Sequence, residues 1–216
     1  MNYSAKSKIL LQFFEVKMPT KYVKNHAVIL TANEHMHTVL EIKHDAPHVY
    51  FWKPRLKQQG VLDPAVCCNW WIEPVTYKGI KFRSAEHAMM WSKGNLFNDE
   101  LAMNAVLETR EPWSVKAIGR QVMGFNDEQW DDNSYKFVRD ICYAKFSQSK
   151  RLKKWMLSQH PDTLFVEASP LDHIWGVKLD EQHQDVKNFK TWRGYNLLGY
   201  ALTEAMRKIR REEDGK

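Results

Sequence analysis

The apolar and polar positions of this chain follow two periods, one near 3.6 residues and one of 2. The helical period is clearest in Phe82-Arg83-Ser84-Ala85-Glu86-His87-Ala88-Met89-Met90-Trp91-Ser92-Lys93. Ser84 has the chemistry of an N-cap, and Glu86 falls in the first turn, where the helix dipole favours a negative charge. Gly94-Asn95 ends the run. Further helices are predicted over residues 99–107, 112–120, 131–146 and 152–157. Asn196 then reads as the N-cap of a last helix, with Leu198, Leu202, Ala205, Met206 and Ile209 at helical spacing.

The period of 2 is confined to short stretches. Ala27-Val28-Ile29-Leu30 leans to strand, and Thr38 to Ile42 offers a second one. His48-Val49-Tyr50-Phe51-Trp52 reads as a strand that Lys53-Pro54 ends, since proline cannot donate to a ladder. Val75 to Phe82 alternates around Gly79, as a tight hairpin does, and Leu164-Phe165-Val166-Glu167-Ala168 is a short buried strand. The pattern as a whole predicts a mainly α chain of the α+β class: one domain over residues 46–216, a central buried helix and a few short antiparallel strands. Residues 1–45 read as an N-terminal extension with packed strands of its own.

Composition narrows the function. No stretch of 18 apolar residues exists, and the apolar run at 9–14 is too short for a signal-peptide core, so the expectation is a cytoplasmic protein away from membranes. Cys67, Cys68 and Cys142 fit reduced thiols, and neither they nor His26, His35, His37, His44 and His48, taken as surface residues, have metal-ligand spacing. No metal and no cofactor is expected. The net charge of +6 sits mostly in residues 1–60, which carry nine Lys and Arg against four Asp and Glu. The remainder is close to neutral, which argues against a nucleic-acid binder. Lys150-Arg151-x-Lys153-Lys154 and Arg207-Lys208-x-Arg210-Arg211 read as solvated helix faces.

Candidate chemistry gathers on the helix after Ser84. Glu86, Met90 and Lys93 share one stripe, an acid and an amine set among apolar neighbours. Such a pair is ordinarily solvated or ion-paired; burial is what makes it a candidate site. Asn69, Asp172 and Asn196 are further polar residues in apolar surroundings, with Trp70, Trp91 and Trp175 as candidate walls. Gly194-x-Asn196-x-x-Gly199 lacks the middle glycine and the preceding strand of a dinucleotide fingerprint. A helix N-terminus beside Arg193 remains a candidate phosphate site.

The order of these motifs resembles the YbiA-like family, also called the NADAR domain. Asn69-Trp70, Ser84-x-Glu86-His87 with Lys93, Lys145-Phe146, Glu167-Ala168-Ser169 with Asp172-x-x-Trp175-Gly176, and Trp192-Arg193-Gly194-x-Asn196-Leu197-Leu198-Gly199 follow that family's order over residues 61–210. The chain departs from it at Cys68, Ala88 and Met90, where the family commonly has Ser, Tyr and Gln. The resemblance implies an N-glycosidase that splits ribose 5-phosphate from an amino-pyrimidine in riboflavin biosynthesis intermediates. Other members remove ADP-ribose from modified guanine bases, and a non-catalytic nucleotide-binding module is the reading from another class. The implied partner is a small phosphoribosyl-amine metabolite, with nucleic acid a partner only under the ADP-ribose reading. The implied roles are Lys93 as nucleophile, Glu86 as proton shuttle sharing a proton with it, and Asp172 as second carboxylate. Asn69, Trp70, Trp91, Trp175, Arg193 and Asn196 would bind substrate.

Overall fold

The computed structural model describes residues 22–53 and 62–215. The apolar run at 9–14 and the loop at 54–61 lie outside the described residues. The chain opens with helix α1 (His26–Val39), where two strands were expected. Asn25 caps it, its side chain accepting from the backbone of Ala27 and Val28. Ile29, Met36 and Leu40 lie at helical spacing and are buried in the common core. The β-branched run at 27–30 therefore yields to tertiary packing, which overrides a weak local preference. Asn33 completes that face. It donates to the Gly194 carbonyl at 3.1 Å and accepts from the Tyr200 hydroxyl at 3.0 Å. Residues 22–40 thus contribute Tyr22, Ile29, Met36 and Leu40 to the common core. His37 stacks on Phe189 at 3.9 Å, and His37 and His48 are part-buried rather than at the surface.

Strand β1 (His48–Phe51) comes next, then a single 3-10 turn at Pro64–Cys67. Strands β2 (Ile72–Tyr77) and β3 (Ile80–Ser84) form the expected antiparallel hairpin, turning at Lys78-Gly79 with positive φ at both residues. Helix α2 (Ala85–Leu96) follows without a break, and α3 (Glu100–Glu108), α4 (Pro112–Gly119), α5 (Asp127–Gln148) and α6 (Lys150–Leu157) surround it and extend the layer. Strand β4 (Leu164–Glu167) then pairs with β1, and α7 (Leu197–Asp214) closes the chain against α5 and β4. The β1–β4 pair is parallel, with Phe51 opposite Glu167, so one of the two strand pairs departs from the antiparallel expectation. A parallel pair needs a long crossover, here the whole helical layer, and leaves no hairpin signature in the sequence. No helix among the described residues is long and apolar enough to cross a membrane.

The two basic clusters do more than face solvent. Arg151 pairs with Glu73, Lys153 with Glu213, and Arg207 and Arg210 donate to the carbonyls of Leu40 and Leu157. They tie α6 and α7 to the elements beside them.

Helix α2 is the most completely buried of the described helices. Residues 85–92 are all buried, Glu86 at 5% exposure and His87 at 2%. Ser84 occupies the N-cap position, yet its hydroxyl makes no capping bond. It meets His87 Nδ1 at 2.8 Å instead, while His87 Nε2 lies 3.2 Å from the Thr109 carbonyl. A carbonyl only accepts, so Nε2 carries the proton and Nδ1 accepts from Ser84. Burial holds the His87 pKa below its ordinary value, consistent with that neutral tautomer.

Candidate active site

One stripe of α2 floors a cleft of about 530 Å³. Glu86, Met90 and Lys93 all line it, joined by the loop at 68–70, the end of α4, Trp130 of α5 and the segment at 167–175. The volume is that of a small-molecule site. The loop at 68–70 is pinned from beneath. Lys145, buried to 1% exposure, donates its ammonium to the Cys68 carbonyl at 2.9 Å, and the Glu86 N–H donates to the Asn69 carbonyl at 3.0 Å. Burial lowers the Lys145 pKa, against the pull of Cys142, Cys67 and Cys68 around it. Asn69 reaches the cleft with its amide on Met89 sulfur at 3.9 Å.

The far wall is organised by the Gly194-x-Asn196-x-x-Gly199 motif. Asn196 sits in the left-handed region at φ 53 and is fully buried. Its Oδ1 accepts from the Glu167 N–H and its Nδ2 donates to the Phe165 carbonyl, both at 3.0 Å. Gly199 allows that approach: a Cβ there would stand 2.2 Å from the Phe165 carbonyl and 2.4 Å from Asn196 Oδ1. Gly194 does the same for the loop at 172–176, since its Cβ would meet the Gly176 carbonyl at 2.1 Å. The N–H groups of Tyr195, Asn196, Leu197 and Leu198 all donate to carbonyls of that loop. The motif is a joint that sets β4 and the Asp172 loop against α7.

This corrects three expectations. Asn196 neither caps α7 with its side chain nor lines the cleft, and both its amide atoms bond β4. The Leu197 and Leu198 N–H groups at the N-terminus of α7 are spent on carbonyls of the Asp172 loop, and Arg193 is exposed and outside the cleft. Trp91 packs on Phe82 at 5.7 Å in the core and does not line the cleft. Asn69, Trp70, Glu86, Lys93, Asp172 and Trp175 do line it.

The electrostatics divide the cleft into two ends. At one, burial raises the Glu86 pKa to about 7; Lys116 and a hydrogen bond from Trp70 oppose that rise, and Asp172 adds to it. Burial, then Asp172, likewise holds Glu167 well above the carboxylate range. Asp172 is fixed by its own turn, one oxygen accepting from the N–H groups of Ile174 and Trp175 at 2.9 Å. At the other end the Lys93 ammonium lies 3.8 Å from the Phe125 ring centroid and 5.5 Å from that of Trp130. Burial lowers its pKa, against the attraction of Asp127. Among the described residues Glu86 and Lys93 form no ion pair. Seven residues at 1.5 Å each put their backbones roughly 10 Å apart along the helix. A proton shared directly between them, as expected from the stripe, is not what the fold builds; Lys116 is the leading cation beside Glu86.

Sequence reasoning missed Glu167, Lys116, Arg120 and Trp130 as cleft residues. Glu167 was hidden at the end of an apolar strand, and Lys116 and Arg120 looked like ordinary positions of a short helix. The one available signal was their i, i+4 spacing on a helix with apolar neighbours.

A mainly α chain with a paired-acid and amine cleft of this size is a small-ligand enzyme scaffold. The NADAR domain profile matches residues 50–210, and the chain belongs to that family. It is 35% identical over 172 residues to the N-glycosidase R617 of Acanthamoeba polyphaga mimivirus, covering 76% of this chain and 95% of that one. It is 32% identical over 135 residues to Protein irg-1 of Caenorhabditis elegans, spanning 63% of that protein's length. The NMR structure of the E. coli protein YbiA superposes with a TM-score of 0.61 at 20% identity, covering 81% of this chain and 91% of that one, and shares the fold.

Proposed function

We propose that this protein is an N-glycosidase that hydrolyses the C–N bond between ribose 5-phosphate and an amino-pyrimidine, the class of bond found in riboflavin biosynthesis intermediates. The coarser part, a hydrolase of N-glycosyl bonds, rests on the family and on the N-glycosidase relative. The finer part rests chiefly on one observation: an amine of lowered pKa and a set of partly protonated acids face a single sugar-sized cleft.

The spacing suits an in-line displacement. An amine about 3 Å from the anomeric carbon and a shuttle acid at hydrogen-bond distance from the ring oxygen, which gains a proton as the sugar opens, stand roughly 7 Å apart across the sugar. Two side chains that begin about 10 Å apart on one helix face can span that gap with the substrate between them. Lys93 attacks with its lone pair as the C–N bond breaks, and the adduct opens to a Schiff base that water hydrolyses. Burial disfavours the charged amine and so favours the neutral nucleophile, against the attraction of Asp127 and of the Phe125 ring face. Glu86, with a pKa of about 7, takes and returns protons through the substrate and water rather than from Lys93 directly. Asp172 faces the positive charge that develops on the sugar. Lys116 and Arg120 receive the phosphate, the part that Arg193 was expected to play.

The reading of ADP-ribose on a guanine base has one observation in its favour. Lys53, Lys93, Lys116 and Arg120 all line the cleft, more cations than one phosphate needs. The deciding assay supplies purified protein with a phosphoribosylamino-pyrimidine or with ADP-ribosylated guanine and measures the sugar released. Release of ribose 5-phosphate, lost in Lys93→Ala and trapped on Lys93 by borohydride, is the expected result. A Lys93→Ala rate equal to wild type would remove the covalent mechanism, and release from the guanine substrate alone would replace the pyrimidine.

A further inference from the structure

Glu167 has no role in the mechanism above, yet its placement is unusual. It ends β4, opposite Phe51 of the parallel partner strand, and lines the same cleft as Glu86 and Asp172. Its main chain is clamped on all sides. The N–H donates to Asn196 Oδ1 at 3.0 Å, and the carbonyl accepts from the Ser169 and Val177 N–H groups at 2.8 and 3.0 Å. Its Oε2 is sealed from solvent and has no hydrogen-bond partner. Among the described residues, every other buried side-chain atom left without a partner belongs to a residue outside the cleft. A buried carboxyl oxygen left unpartnered is costly, and much more so if the group is charged. Such an arrangement persists where the surrounding structure fixes it, as this clamp does.

Building on the N-glycosidase reading, we propose that Glu167 is the general acid that protonates the departing nitrogen of the base. The carboxyl oxygen not sealed in the protein carries the proton and faces the cleft. As the bond from the anomeric carbon to the base breaks, its electron pair goes to the base nitrogen, which takes the Glu167 proton. The base leaves as a neutral amine and Glu167 is left as carboxylate. Water that later hydrolyses the sugar adduct restores the proton, so substrate and one water give ribose 5-phosphate and free base with no redox partner. The groups facing Glu167 support the neutral acid as its resting form. Asp172 from its loop and Glu86 from α2 disfavour a third negative charge, burial does so more strongly, and Lys116 from α4 is the opposing influence. Asn196 and Thr203 of α7, next to the strand, are uncharged.

The test compares two substrates. One is the phosphoribosylamino-pyrimidine, whose leaving nitrogen needs a proton; the other is a 5-phosphoribosyl 4-nitrophenolate, whose leaving group does not. Glu167→Gln is expected to lower kcat/KM on the first by about 100-fold or more, with the alkaline fall of the pH–rate profile abolished, and to stay within a few-fold of wild type on the second. Equal loss on both substrates, or no loss on the first, overturns the assignment. If Glu167→Gln does not fold, wild type alone decides: the alkaline limb should be present with the pyrimidine and absent with the nitrophenolate, and a limb common to both overturns it. Wild type inert toward the pyrimidine substrate overturns the parent reading and this one together. Active wild type with an unaffected variant overturns this one alone.

Discussion

Asn196 gives the sharpest test of what the glycine–asparagine joint before α7 does, because a substrate ligand and a structural bracket fail differently. Asn196→Ala removes an acceptor from the Glu167 N–H and a donor from the Phe165 carbonyl. Each orphaned group costs about 1–3 kcal/mol when buried. Alanine at φ 53 adds roughly 1–2 kcal/mol, since left-handed backbone crowds its Cβ. The sum is about 3–8 kcal/mol, a large part of the roughly 5–15 kcal/mol that holds an ordinary domain folded. Asn196→Gly separates the two contributions. Glycine accepts the backbone but not the bonds, so it should recover about 1–2 kcal/mol relative to alanine and remain well below wild type. Urea titration monitored by tryptophan fluorescence reads both differences at constant m value. A loss below about 1 kcal/mol in Asn196→Ala, with kcat/KM reduced in a fully folded variant, would refute the bracket and restore Asn196 to the substrate site.

Two further perturbations bear on the cleft. Glu86 titrates near 4.5 when unfolded and at about 7 when folded, so its ionisation opposes folding; the penalty is absent below the lower value, grows between them and is complete above the upper one. Glu86→Gln should therefore match wild type in stability near pH 4 and exceed it by up to ~3 kcal/mol near pH 8, while its turnover falls; a difference constant across pH would contradict the burial argument. Lys145→Met deletes the donor to the Cys68 carbonyl but also relieves a buried amine, so its stability should change by less than about 2 kcal/mol. The released loop should still cost kcat/KM at least 10-fold, read alongside a shifted Trp70 emission; unchanged kinetics would mean the loop needs no pin.

The helices around the cleft were legible because each carries its own period and punctuation. Pro112 opens α4 and the stripe from Leu198 to Ile209 survives intact in the core, while α5 and α6 begin at Asp127 and Lys150, before the predicted 131 and 152, because Asn126 and Ser149 cap them. Helix α1 was not legible, since Asn33 interrupts the stripe of Ile29, Met36 and Leu40 with a polar residue. Its reason lies 161 residues away at the Gly194 carbonyl. The same limit governs the site. Glu86 and Lys93 share a helix, so spacing alone finds them. Glu167 and Lys116 meet only through the parallel pairing of β1 with β4 and the packing of α4 on α2, and no local pattern encodes either.

That division has a chemical consequence. The residues legible along one helix are the proposed nucleophile and shuttle, Lys93 and Glu86, and burial in the layer around α2 shifts both. The residues brought from afar set how much charge the cleft tolerates. Three carboxyl groups within mutual influence in one hollow cannot all ionise cheaply, and Lys116 offsets only part of their repulsion. Burial and this repulsion therefore favour protonation at the acid end, where the proposed departure of a basic nitrogen would draw on it. Removing Lys116 should push the acid end further toward its protonated form, shifting the alkaline limb of the pH–rate profile upward, while Lys93 at the other end keeps its reactivity.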